Sequence, residues 1–264
     1  MYTRLHLSFK NHVALITLDH NATLNAIDLT MADEILAALK ETEESKDAHI
    51  VVITGAGRAF SGGGNIQYMK DHCQEPDFVE KSMGTLAKRV SEIVLYMKKM
   101  KKIVIAAVSG AAAGGGANIA LAADFIFAAE NAKFIQAFVS IGLCPDTGGT
   151  YFLPRMVGAM QAMDMFITGR PVSAEEAYRL GLIKSVVAKA DLLPQTIAFA
   201  EKLAKGPTLV YQNTKKLVFE SLYHDFEKFM STELKYVSQC AESDDFKEGI
   251  TAFLEKRPPK FTGK

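Results

Sequence analysis

Ser109-Gly-Ala-Ala-Ala-Gly-Gly-Gly-Ala-Asn-Ile-Ala-Leu-Ala-Ala-Asp124 is the stretch whose reading decides the fold. It follows residues 102–108, a short β-branched and apolar run that predicts a buried strand. Gly114, Gly115 and Gly116 then interrupt the chain, and the small apolar residues of 117–123 predict a packed helix. The unit is a strand, a glycine turn and a helix start. Glycines there let the backbone approach another group closely and reach dihedrals closed to other residues. A helix that begins at such a turn presents unpaired N–H groups and the positive end of its dipole. That end can hold a phosphate or a developing oxyanion.

Working outward, residues 49–54 form a second apolar strand, followed by Gly55-Ala-Gly-Arg-Ala-Phe-Ser-Gly-Gly-Gly64 and a helical turn over 65–70. Two strand ends with glycine loops are able to supply one backbone N–H each to a shared site. They are equally readable as tight turns with close helix packing, which glycine loops often are in α/β proteins.

A chain of 264 residues with 48% hydrophobic residues has enough apolar surface for a large core. The formal net charge is zero, which gives no sign of a nucleic-acid surface. Arg4, His6, Lys10 and His12 break up the opening residues, so no signal peptide is expected, and no apolar run reaches a membrane-spanning length. Cys73, Cys144 and Cys240 are odd in number and lack metal-ligand spacing. They are expected to be small apolar residues of a reduced, cytoplasmic protein.

Residues 4–9 and 13–18 alternate around Asn11-His12 and predict a β-hairpin. Asp28 or Thr30 is placed to cap a helix with Ile35, Leu36 and Leu39 on one face. Pro76-Asp77 opens a long helix to about Lys99. A strand is expected over 124–129, a mixed segment over 133–140, then a loop, Gly142-Leu-Cys-Pro-Asp-Thr-Gly-Gly-Thr150, running into a helix near 151–157. Helices follow over 159–168 and 173–180, the latter opened by the capping box Ser173-Ala-Glu-Glu176, and 183–188 returns as a strand. Beyond Asp191 every segment predicts helix: 192–205, 207–223, 226–241 and 246–256. The pattern implies an α/β core over residues 1–190 and a helical C-terminal region over 191–264. Strand-and-helix units recurring at about 50 residues suggest a repeated or spiral core.

Several familiar sites are absent. Phe60 stands where a dinucleotide fingerprint needs its third glycine, and no glycine loop carries Gly-Lys-Ser/Thr. The six histidines, His224 the last, show no zinc spacing. Gly-x-Ser-x-Gly does not occur, and Ser61 has no evident base. Asp146 stands between Pro145 and Thr147-Gly148-Gly149, just before a helix. It is suited either to cap that helix or to act as a proton-transfer base.

With both glycine loops and the Pro-Asp loop in place, the chain resembles the crotonase (enoyl-CoA hydratase/isomerase) superfamily over nearly its whole length. The carriers are Leu24-Asn-Ala-Ile27, Phe60-Ser-Gly-Gly-Gly-Asn-Ile66, the stretch 110–124, Pro145-Asp-Thr-Gly-Gly-Thr150, and the stretches 169–183 and 248–264, all in the family's order. The resemblance implies a spiral of ββα repeats with a helical C-terminal region that builds trimers, often paired into hexamers. It implies an acyl-CoA thioester as substrate, with coenzyme A arriving as part of that substrate and neither a metal nor a further cofactor. The backbone N–H groups of Gly64 and Gly115 would form the oxyanion hole. Leu24, Ala26, Gly62, Asn65, Ile66 and Gln67 fall at substrate-binding positions, and Phe253 and Lys256 resemble positions that reach the CoA of a neighbouring subunit.

The departures are informative. Hydratases of the family use two glutamates, and Asn118 and Phe138 stand at those positions. Phe138 also replaces the lone glutamate of ordinary fatty-acyl enoyl-CoA isomerases. A carboxylate remains at Asp146, a pattern similar to the epoxyphenylacetyl-CoA isomerase branch of phenylacetate breakdown, whose base is the Asp of this loop. The resemblance therefore implies an isomerase with Asp146 as its acid/base. The rivals are hydration without the usual glutamate pair and a non-catalytic CoA-binding protein. Aryl-CoA dehalogenation is disfavoured, since no His lies between His72 and His224 and the chain has no Trp.

Overall fold

The hairpin pairs β1 (Leu5–Lys10) with β2 (Val13–Leu18), Lys10 opposite Val13. Asp28 then caps α1 (Leu29–Glu44), its Oδ1 accepting from the Met31 N–H at 2.8 Å. The computed structural model describes residues 2–75, 77–223 and 225–262. The expected helix start at Pro76, His224 and the last two residues of the 248–264 tail lie outside these.

Next come β3 (Ile50–Gly55), β4 (Ala59–Ser61) and α2 (Ile66–His72). The single helix expected up to Lys99 is two pieces, a wide helical turn at Phe78–Met83 and α3 (Gly84–Lys99). β5 (Ile103–Val108) leads through β6 (Ala111–Ala113) to α4 (Gly114–Leu121). The glycines are therefore the first turn of the helix, where a separate turn was expected. Beyond α4 lie β7 (Phe125–Ala129), β8 (Lys133–Ile135) and a 3-10 turn at Ala137–Ile141. The chain continues through α5 (Gly149–Val157), α6 (Ala159–Thr168), β9 (Pro171–Ser173), α7 (Ala174–Arg179) and β10 (Ser185–Val187). It closes with α8 (Leu192–Ala204), α9 (Thr208–Tyr223), α10 (Phe226–Ala241) and α11 (Asp244–Leu254).

The long strands form one sheet in the order β1-β2-β3-β5-β7-β10, parallel except at the hairpin. The short strands form a second, β4-β6-β8-β9. Each long strand from β3 to β7 is followed by a short one, so the chain climbs both sheets together, turn by turn. This is the spiral of strand-strand-helix repeats. The expected interval of about 50 residues holds between β3 and β5, where Ile50 pairs with Ile103. It shortens afterwards, because the brief α4 links β6 to β7.

β5 is apolar throughout and β3 is apolar up to Thr54, whose hydroxyl donates to Ala107 O at 2.8 Å, because both their faces are buried. Val51, Ile53, Val104 and Ala106 join the main core with α1 and α3. Ile50, Val52, Ile103 and Ile105 face the other way, against Leu192, Ala200 and Ala204 of α8. The elements after Asp191 are helices, with residues 255–262 non-helical beyond α11, yet α8 covers the large sheet. The expected boundary at 190/191 thus precedes a helix that packs on the α/β core. Farther on, α10 packs on α3, and α11 packs on α2 and on the turn at Ala137–Ile141. No helix among the described residues is long and apolar enough to cross a membrane.

Candidate active site

The two glycine loops meet. Ile27 and Gly64 form a parallel bridge in which the Ile27 N–H donates to Gly63 O at 2.7 Å and the Asn65 N–H to Ile27 O at 2.9 Å. That pairing leaves the Gly64 N–H on the edge away from Ile27. Gly63 has φ +90, and a Cβ there would stand 2.8 Å from Ala113 O, so only glycine lets the loop approach β6. Gly115 is the second residue of α4, where helix geometry leaves the N–H without an intrahelical acceptor. Gly116 serves packing: a Cβ there would lie 2.5 Å from Ser61 Oγ. Ser61 itself is fully buried, donating to Asn25 O at 2.9 Å and accepting from the Gly63 N–H at 3.2 Å. It ties loops together and is not presented as a nucleophile.

Gly62, Gly64 and Gly115 line a cavity of about 380 Å³ with Leu24, Ile66, Phe138 and Asp146. Its other walls are chiefly Met, Leu, Ile, Val and Ala side chains from α2, α3 and the turn at 137–141. Phe253 of α11 stands at its rim. Phe253 reaches the cavity of its own chain, because Gly249 lets α11 dock on the 137–141 turn: a Cβ at Gly249 would lie 2.7 Å from Ile141 Cα. The expected reach across subunits is therefore not needed to bring Phe253 to a site. Lys256 is exposed and outside the cavity lining. Ala26, Asn65, Gln67 and Asn118 also fall outside it. Ala26 is buried beneath the loop, Asn65 caps α2 through the Tyr68 N–H at 3.1 Å, and Gln67 is exposed and donates to Asp71 at 2.7 Å.

Asp146 is the one ionisable side chain among the described residues that line the cavity. It is 6% exposed. Burial first, and then the charge of Glu233, push its carboxyl up from the ordinary 3.8 to about 7, while a hydrogen bond with Thr147 pulls the other way. The expected capping role falls to other groups: the N-cap of α5 is Gly148, and its N–H donates to Glu233 Oε2 at 2.7 Å. Glu233 Oε1 also accepts from the Thr150 hydroxyl. Asn118, fully buried on α4, donates from Nδ2 to Asp146 O at 2.9 Å and to Thr147 Oγ1 at 3.0 Å, and Gln136 Nε2 donates to Asn118 Oδ1 at 3.0 Å. The position where hydratases of the family carry a glutamate is thus turned onto the backbone of the Asp146 loop. Beside it, burial drives the Cys144 thiol up to about 12, and Cys240 of α10 shares a hydrogen bond with it.

Glu233 is the residue that sequence reasoning missed. The available signal was its place on α10, four residues before Val237 and seven after Phe226, on a stripe that is otherwise apolar and buried. A carboxylate there must find hydrogen bonds on folding.

Two strand-end loops with backbone N–H groups, facing a single buried carboxylic acid across an apolar cavity, have the geometry suited to a class of enzymes, those that hold a developing oxyanion beside a proton carrier. Within that class, the chain belongs to the enoyl-CoA hydratase/isomerase family, whose sequence profile matches residues 8–264. A probable enoyl-CoA hydratase of Rhodobacter capsulatus is 39% identical over 263 residues, spanning 100% of this chain and 99% of that protein. The 1,2-epoxyphenylacetyl-CoA isomerase of Escherichia coli is 35% identical over 253 residues, spanning 96% and 95%. The crystal structure of an enoyl-CoA hydratase from Mycobacterium avium subsp. paratuberculosis superposes with a TM-score of 0.89 at 28% identity, over 99% of this chain and 100% of that one. The crotonase resemblance and the α/β spiral hold, and the names of the relatives divide between hydratase and isomerase.

Proposed function

We propose that the chain is an acyl-CoA isomerase, acting on an enoyl-CoA or an epoxyphenylacetyl-CoA type of thioester. The carrying observation is that Asp146 is the sole ionisable side chain lining the cavity among the described residues, and that it is held near neutrality. The thioester oxygen lies against the N–H groups of Gly64 and Gly115 and gains charge as the enolate forms. Such a donor is worth about 3 kcal/mol of barrier. Ionised Asp146 takes a proton from C2 of a 3-enoyl-CoA. The electron pair moves through the enolate, the double bond comes to lie between C2 and C3, and the Asp146 carboxyl, which exchanges its proton with solvent, returns a proton at C4. The step is a proton transfer that calls for no metal or redox group, and CoA enters and leaves with the acyl chain.

Hydration is the second reading, favoured by the name of the Rhodobacter capsulatus relative. It asks for a water held between two acid/base groups, and the cavity wall supplies one carboxylate, with Phe138 in the other position. A product analysis separates the two. Incubated with 3-hexenoyl-CoA and with crotonyl-CoA, the protein is expected to convert the first to its 2-enoyl isomer of unchanged mass faster than it adds water to the second. Fast addition of water to crotonyl-CoA, with no double-bond migration, reverses the assignment. Tight binding of both esters without turnover marks a non-catalytic CoA-binding protein.

A homotrimer or hexamer completes the proposal. It is supported by large apolar side chains left exposed on α6 (Met160, Met163, Ile167) and α9 (Leu209, Leu217, Leu222), which further copies of the chain would cover. A cytoplasmic setting agrees with the three free cysteines.

A further inference from the structure

Asp146 lies just before the first turn of α5, where the Gly149 N–H donates to Asp146 O at 3.0 Å and the Tyr151 N–H to Gly148 O at 3.1 Å, leaving the N–H groups of Gly148 and Thr150 to attract a carboxylate. The N-cap residue cannot satisfy them itself. Gly148 sits there at φ +79, and a Cβ would stand 2.7 Å from the Phe226 ring and 2.8 Å from that of Phe152. Thr147 is engaged on both sides, its hydroxyl accepting from Asn118 Nδ2 at 3.0 Å and hydrogen-bonded to the Asp146 carboxyl. Two carboxylates lie beside that end, Asp146 two residues before Gly148 and Glu233 on α10.

Building on the proposed role of Asp146, we propose that Glu233 is a positioning residue for it. By capping α5 from a distant helix, Glu233 keeps the Asp146 carboxylate off the helix terminus and in the cavity wall. Both oxygens of Glu233 are committed, one to the Gly148 N–H at 2.7 Å and the other to the Thr150 hydroxyl. Glu233 is 6% exposed and shares its helix face with Phe226, Val237 and Ala241. Burying a carboxylate on such a face is costly, and a local cap would satisfy the helix end without that cost. The local candidate is the residue needed elsewhere. Asn118 completes the clamp from α4 by holding Asp146 O at 2.9 Å.

Glu233 also sets the charge around Asp146. The groups around Asp146 are Glu233 from α10, Cys144 from its own loop with Cys240 of α10 bonded to it, the Thr147 hydroxyl on its carboxyl, and the uncharged amide of Asn118 on its carbonyl, with Gln136 behind Asn118. Burial keeps the Cys144 thiol protonated; it pushes the Glu233 carboxyl up as well, while the hydrogen bonds from Gly148 and Thr150 pull toward its ionised form, the form whose charge raises Asp146.

The test compares Glu233→Gln, Glu233→Ala and Asp146→Asn in the full chain, with 3-hexenoyl-CoA as probe and rates followed from pH 5 to 9. Gln is able to accept the Gly148 N–H and donate to Thr150, so it keeps the cap and deletes the charge. Its acid limb of kcat/KM should move down by about one pH unit. Ala deletes the cap as well, and Asp146 swings onto α5. There kcat should fall at least about tenfold while KM changes less than about threefold. If Asp146→Asn is inactive but both Glu233 variants keep the wild-type kcat and acid limb, this inference is overturned and the proposed function stands. If the Ala variant fails to fold, the limb of the Gln variant decides alone. If Asp146→Asn retains full activity, the proposed function fails and takes this inference with it.

Discussion

Replacing Asp146 by Asn should make the protein more stable above neutral pH while removing its activity. The folded chain holds the Asp146 proton far more tightly than the unfolded chain, about 7 against 3.8. A carboxyl raised in this way favours folding while it is protonated in both states. Stability is therefore fully present below about pH 4, is lost as pH rises to about 7, and is flat above that. At 1.36 kcal/mol per pH unit, the span amounts to about 4 kcal/mol. Asn has nearly the same shape and does not titrate, so the difference between variant and wild type isolates this one group. The variant is expected to match the wild type within about 1 kcal/mol at pH 4.5 and to exceed it by about 2–4 kcal/mol at pH 8. The lower end allows for water entering the loop as it charges. Urea unfolding of both proteins at pH 4.5, 6 and 8, at one protein concentration, measures it. A difference independent of pH would mean that Asp146 is not desolvated, and the reason for a base poised near neutrality would be gone.

Other consequences are open to simpler experiments. Asn118→Asp points a carboxylate at the Asp146 carbonyl in place of a donor, and thermal unfolding should show a loss of about 3 kcal/mol with no gain in hydration of crotonyl-CoA. Gly116→Ala forces a methyl to within 2.5 Å of Ser61 Oγ and should cost about 1–3 kcal/mol in urea unfolding, with a fall in kcat as the two glycine loops separate. Sedimentation at micromolar protein should show a trimer or hexamer, and a stable monomer that turns over acyl-CoA would remove the proposed assembly.

Much of this architecture could be read from local pattern. The strands that became β3 and β5 are continuous apolar runs because both faces are covered, and such runs are visible in any sequence. Helices such as α6 and α10 fell at their expected bounds because a complete apolar face marks their length. What escaped was set by tertiary contact. Ala111–Ala113 carries no strand propensity, and it is a strand because β4 and β8 pair with it on either side. The glycines at 114–116 read as a turn ahead of the helix, yet they are its first turn, where Gly116 passes close to Ser61.

The same divide runs through the site. Gly64, Gly115 and Asp146 were identifiable because their motifs are local. Asp146 looked equally suited to capping, and only the fold reveals that Glu233, from α10, takes that task. Asn118 was legible as a substitution, but its donation to the Asp146 loop was not, because the two segments meet only in the folded chain.

Incorporation of solvent deuterium into 3-hexenoyl-CoA tests most directly whether Asp146 carries the proton. With the wild-type protein in heavy water, deuterium should enter the acyl chain at C2 and C4 as the 2-enoyl isomer accumulates. With Asp146→Asn, exchange and migration should fall together by about 10²–10⁴, with affinity for the ester retained. Exchange by Asp146→Asn at the wild-type rate would contradict the assignment of Asp146 as the base.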